Sequence, residues 1–221
     1  MGRDDLFKKR KAQSLDSKKR RIASRLQNEW VLIVCEGEKT EPNYFNGLII
    51  EYKLSTADVL ITTPKGSAPM SLVNYAISKY KQACKQKSWF DRVYCVFDKD
   101  NHANYQEAID KIKEQTPKQT FYAITSVPCF EYWLLLHFCN KAKPYESNCG
   151  RTSGEQVLKD LKTCFPLYKK NSKNIFKLLF PHLDDAIKNA KRINLESEKI
   201  GSDNPSTKVV ELVEYLIGLK K

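Results

Sequence analysis

Three short apolar runs limit what this chain can become. Trp30-Val31-Leu32-Ile33-Val34-Cys35, Val59-Leu60-Ile61-Thr62 and Val93-Tyr94-Cys95-Val96-Phe97 are rich in β-branched residues and do not alternate with polar ones. A strand with one wet face alternates, whereas an unbroken run of this length fits a parallel strand covered on both faces. Between the runs, apolar residues recur at helical spacing. Tyr44, Phe45, Leu48, Ile49 and Tyr52 follow the first run, and Leu72, Val73, Ala76, Ile77 and Tyr80 follow the second, each set reading as one face of an amphipathic helix. A helix over 105–114 and a fourth strand over 120–125 complete the pattern. Strand and helix thus alternate four times between residues 30 and 125, which predicts an α/β fold with a mainly parallel four-stranded sheet flanked by helices. Thr40 is expected to cap the first helix, with Glu41 favoured by the helix dipole and Pro42 in the first turn.

From Pro128 onward the pattern is helical: an apolar helix over 130–138, others over 154–164 and 173–199 (broken near Pro181), and a last one over 206–219 with Ser206 and Thr207 as its cap. The expected organisation is a basic N-terminal segment (1–27), an α/β core (28–125) and a helical extension packed on that core (126–221). Residues 1–27 hold ten Lys or Arg against three Asp, more than half of a net charge of +12. A block of this kind favours a polyanion, because each neutralised phosphate releases counterions. Seven cysteines, an odd number with no C-x-x-C pair, suit a reducing compartment rather than a disulfide scaffold. There is no apolar leader or run of membrane-spanning length, so the expectation is a cytoplasmic protein with no membrane partner.

In open α/β sheets, ligands bind beyond the carboxyl ends of the strands. Two acidic clusters fall there: Glu36-Gly37-Glu38-Lys39-Thr40-Glu41 after the first strand, and Asp98-Lys99-Asp100-Asn101-His102 after the third. Asp98 and Asp100 are two residues apart and share a face of an extended chain, with Lys99 on the other. Paired carboxylates repel unless a cation neutralises them. Mg²⁺ (or Mn²⁺), which takes one or two carboxylates and shares phosphate oxygens, does this. Glu36 suits either a ligand or a proton carrier. Gly37 permits close backbone approach. Lys39 and Thr40, at a helix start, suit an anion. Lys65 and His102 are further candidates for nucleic-acid contact, and Glu131, among apolar and aromatic neighbours, is costly to bury unless it is paired or metal-bound. His137, six residues on, reads as a core histidine.

A Glu after the first strand and a D-x-D after a later one resemble a Toprim domain. Four stretches are more specifically similar to the RloB-like family, whose members resemble Toprim nucleases: VCEGEKTEPNYF (34–45), VFDKDNH (96–102), SVPCFEYWLLLHF (126–138) and DNPSTKVVELV (203–213). The resemblance implies a divalent-metal site at Asp98 and Asp100, and acid/base work for Glu36. It further implies a nuclease effector of a bacterial anti-phage or abortive-infection system, acting on tRNA or DNA beside an ABC-type ATPase. A homodimer is left open. Two other readings stand. One is a non-enzymatic module that binds nucleic acid or the ATPase. The other is a haloacid-dehalogenase-like phosphatase with Asp184-Asp185 as a second acidic pair, although that pair falls in a helical run and leaves Glu36 unused.

Overall fold

The computed structural model describes residues 29–219 apart from 56–57, 65, 67, 100–103 and 149. Five strands form one sheet in the order β2-β1-β3-β4-β5. They are β1 (Val31–Cys35), β2 (Val59–Thr62), β3 (Arg92–Asp98), β4 (Phe121–Val127) and β5 (Ser206–Thr207). The first four are parallel, and β5 runs antiparallel to β4. The helices are α1 (Thr40–Glu51), α2 (Pro69–Lys85), α3 (Tyr105–Glu114), α4 (Phe130–Leu135), α5 (Ser153–Cys164), α6 (Ile175–Leu179), α7 (Leu183–Ile200) and α8 (Val209–Gly218), with a 3-10 turn over Phe180–His182 between α6 and α7. The break in the long helical run falls at Pro181, where the missing N–H and fixed φ disfavour helix continuation.

The four predicted strands are all present. The fifth was not anticipated: Ser206 and Thr207 extend the sheet instead of opening the last helix. Thr207 sits between Asn194, whose side chain brackets its backbone N–H and C=O at 3.0 and 2.8 Å, and the Ser126 hydroxyl at 3.0 Å. These contacts come from elsewhere in the chain and outweigh the local capping preference of the two residues. The Thr207 hydroxyl still accepts from the Val209 N–H at 3.3 Å. Thr40 also differs from expectation. Lys39 is the boundary residue, Thr40 is the first helical one, and no side chain caps α1.

β1 is buried along its whole length, as its unbroken apolar run requires. Its side chains divide by parity between two layers. Leu32 and Val34 join Val93, Cys95 and Phe97 under α2 and α3, while Val31, Ile33 and Cys35 join Tyr94 and Val96 under α1, α4 and the later helices. Truncating Leu32, fully buried in the first layer, should cost about 2–5 kcal/mol. In the second layer Tyr44 is a hub. Its ring meets Phe45, Phe130, Trp133 and Phe176 edge-on at centroid distances of 5.6, 5.8, 6.3 and 5.1 Å. Gly47 lets α6 approach α1 closely, since a Cβ there would lie 2.5 Å from Phe176 Cβ. The start of α1 is therefore held against the start of α4.

Because α1 covers one face of the sheet and α2 and α3 the other, the winding reverses between β1 and β3. That reversal opens a crevice at the carboxyl ends of these two strands, the usual ligand position in open α/β sheets. Glu36 and Asp98 fall there.

Candidate functional site

β1 and β3 are neighbours in register, Cys35 opposite Val96, and the Glu36 N–H continues the ladder to the Val96 carbonyl at 2.9 Å. The two strands thus deliver Glu36 and Asp98 to the same depth. The Asp98 N–H donates to Glu36 Oε2 at 3.0 Å. A cleft of about 430 Å³ adjoins them, lined by Glu36–Glu41, Asp98, Phe130, Glu131, Lys170 and Asn171. Four carboxylates, Glu36, Glu41, Asp98 and Glu131, border one small space.

Their protonation reflects the crowding. Burial is the largest influence on Asp98, followed by the charges of Glu41, Glu131 and Glu36. Together they push its carboxyl well above the usual range, against a backbone hydrogen bond from Phe130. Glu41, 7% exposed, is pushed up to about 7, chiefly by burial and then by Glu131 and Glu36, while backbone hydrogen bonds at Glu41 itself and at Gly37 oppose the shift. Gly37 is there for space: a Cβ would lie 2.1 Å from Glu41 Oε2. Such a set stays charged only beside a counter-cation.

Glu131 is held from another part of the fold, with the Tyr168 hydroxyl donating to its Oε1 at 3.1 Å. Burial, then the Glu131 charge, raises the phenol well above its usual range, so it remains a donor. The loop after Tyr168 is fastened by Asn43 of α1, whose Nδ2 donates to the carbonyls of Asn171 (3.1 Å) and Ser172 (3.3 Å). That loop brings Lys170 to the cleft that Lys39 also lines, and among the described residues neither lysine forms an ion pair. Lys99 points away from the acidic side, as its parity predicts, and pairs with Asp203 at 2.5 Å. Cys129 is buried beside the site. Burial, then Glu131 and Asp98, push its thiol well above its ordinary value, which makes it a poor nucleophile near neutrality.

Of the candidates read from the sequence, Glu36, Asp98, Glu131, Lys39 and Thr40 all line the cleft. Asp100, His102 and Lys65 lie outside the described residues, as does the basic segment 1–27. Glu41, Tyr168, Lys170 and Asn171 were not anticipated as site residues. His137 is a core residue, 1% exposed, with Nδ1 3.1 Å from the Trp133 carbonyl and burial lowering its pKa to about 3. Asp184 and Asp185 occupy the first turn of α7 and do not line the cleft. Among the described residues, no three His, Cys, Asp or Glu side chains are grouped closely enough to hold a metal ion, and no helix is long and apolar enough to cross a membrane.

No curated protein and no solved structure matches the chain. A family model described as RloB-like protein matches residues 31–216, which takes in the sheet, the four carboxylates and the helices behind them. The chain belongs to the RloB-like family.

Proposed function

We propose that this protein is a magnesium-dependent nuclease of the Toprim type. It hydrolyses a phosphodiester bond in tRNA or DNA in the cytoplasm, as the effector of an anti-phage system with a partner ATPase. The observation that supports this reading is the convergence of Glu36, Glu41, Asp98 and Glu131 on one cleft at the β1–β3 crevice, with Asp98 and Glu41 pushed toward protonation chiefly by burial and then by their neighbours. The donor set fits the proposed ion, because carboxylate oxygens are what a hard divalent cation takes. Glu36 and Asp98 would hold it, with Asp100 the proposed third ligand. When bound, Mg²⁺ or Mn²⁺ supplies Lewis acidity and lowers the pKa of a coordinated water.

The remaining work belongs to the side chains. Lys39 and Lys170, which both line the cleft, would seat a phosphate beside the carboxylates and offset its charge. Glu41, with a pKa of about 7, would take or return a proton near neutrality, where a general acid/base is most effective. Tyr168 would keep Glu131 turned into the cleft. The Glu36–Asp98 hydrogen bond would fix the spacing of the two strand ends.

The phosphatase reading is weakened by the position of Asp184 and Asp185 away from the cleft. The deciding experiment incubates the protein with tRNA and with DNA, in Mg²⁺ or Mn²⁺, with and without the partner ATPase, beside Glu36→Gln and Asp98→Asn. Cleavage abolished in both variants supports the nuclease. Binding without cleavage under every condition supports the module, and phosphate release from a small monoester supports the phosphatase.

A further inference from the structure

We infer that α5 and the loop that follows it form a polyanion-binding track leading a nucleic-acid strand to the carboxylate cleft. Residues 151–177 contain seven Lys or Arg and only two acidic residues. Both acids are engaged within the fold. Glu155 closes a capping box with Thr152, accepting from its N–H at 2.8 Å. Asp160 pairs with Lys141 at 3.1 Å and accepts from the Tyr145 hydroxyl at 2.9 Å. The cations are left over: Arg151, Lys159, Lys162, Lys169, Lys170 and Lys173 make no ion pair among the described residues, and all six are exposed.

Their placement is directional. Val157 and Leu161 bury the inner face of α5 against α4, which turns Lys159 and Lys162 outward. Two adjacent surface clefts share Arg151 and Lys159 as a common wall, and Lys162 lines one of them. At its start α5 lies beside the site, since a Cβ on Gly154 would sit 3.8 Å from Cys129 Sγ. At its end the chain runs through Phe165, stacked on Phe138 at 5.0 Å, to Tyr168 on Glu131 and to Lys170 in the cleft lining. A series of cations without ion-pair partners on the element that leads to the cleft is complementary to a phosphodiester backbone. An acidic protein would share the attraction to these cations, but only a nucleic-acid strand has a bond to be cleaved at the carboxylates. The track rests on the nucleic-acid reading of the cleft only for its direction.

The test uses the full-length chain in metal-free buffer with EDTA, so that binding is read without cleavage. Fluorescence anisotropy with bulk tRNA and with a short DNA duplex, over a range of KCl concentrations, compares wild type, the control Lys85→Glu and the triple variant Arg151→Glu, Lys159→Glu, Lys162→Glu. The triple variant should bind roughly tenfold or more weakly, with a salt slope shallower by about 2–3, close to one unit per lost phosphate contact. Lys85→Glu, an exposed position on α2, which covers the other face of the sheet, should bind close to wild type; because binding is read without metal, failure of cleavage alone would leave the track standing. The conservative pair Lys159→Arg and Lys162→Arg should retain both affinity and slope. If the triple variant melts early, single substitutions at these exposed positions read the same slope at about a third of the effect. An unchanged affinity and slope would overturn the inference. So would poly-L-glutamate competing as well as nucleic acid per unit charge, which would assign the surface to an acidic protein.

Discussion

The backbone N–H of Asp98 donates to the carboxylate of Glu36 at 3.0 Å, so one proposed ligand positions the strand that bears the other. The two residues are 62 positions apart and meet only because β1 and β3 pair in register. Glu36→Gln keeps an amide oxygen as acceptor, whereas Glu36→Ala leaves the N–H unpaired. Both variants should lose cleavage. In urea titrations the alanine variant should be less stable than the glutamine variant by about 1–2 kcal/mol, the penalty for an orphaned, partly buried donor. Equal stability would mean that water replaces the contact.

The pH dependence of stability should carry the mark of Glu41. Its pKa is raised from 4.5 to about 7 in the fold, so between those values the folded state holds a proton that the unfolded state has lost. Stability should therefore be greatest in this respect below about 4.5 and decline as pH rises to about 7, by on the order of 3 kcal/mol. Glu41→Gln should flatten that decline in thermal melts across the window. A slope unchanged by the substitution would assign it to other groups.

Added Mg²⁺ should act in the opposite sense. Binding requires deprotonated carboxylates, so the rise in Tm on adding millimolar Mg²⁺ should be larger at pH 8 than at pH 5.5, and at saturating cation should reach about 2–3 kcal/mol of stabilisation. Asp98→Asn should abolish most of the rise. A shift that persists in Asp98→Asn would place the ion elsewhere.

Gly37→Ala tests the close approach to Glu41. The added methyl would collide with the carboxylate of Glu41, a residue only 7% exposed. The single variant should lose about 1–2 kcal/mol together with activity. In the background of Glu41→Ala the same change should be nearly neutral, a coupling that a double-mutant cycle reads directly.

Tyr168→Phe removes one hydroxyl and leaves the ring in place. The structural loss should be small, about 1 kcal/mol. Cleavage should fall by at least about tenfold if Glu131 must be aimed, since misplacing a reacting group is costly far beyond the contact energy. Unchanged turnover would reduce Tyr168 to a packing residue.

What the sequence determined by itself is what local periodicity encodes. The unbroken runs at Val31–Cys35 and Val93–Phe97 specify buried strands because only a doubly covered strand hides every side chain. The carboxylates directly after those runs are placed at the sheet edge by the same logic. Glu36 and Asp98 were therefore legible as a pair. Glu41 was not, because an acid in the first turn of a helix already has an ordinary electrostatic reason to be there; only the packing of α1 against α4 shows it buried at 7% exposure. Tyr168, Lys170 and β5 depend on contacts with Glu131, Asn43, Asn194 and Ser126, which join residues between 13 and 128 positions apart. No period of 2 or 3.6 records such meetings. They are decided when the chain closes on itself, since it is burial and long-range hydrogen bonding, not local preference, that sets their energy.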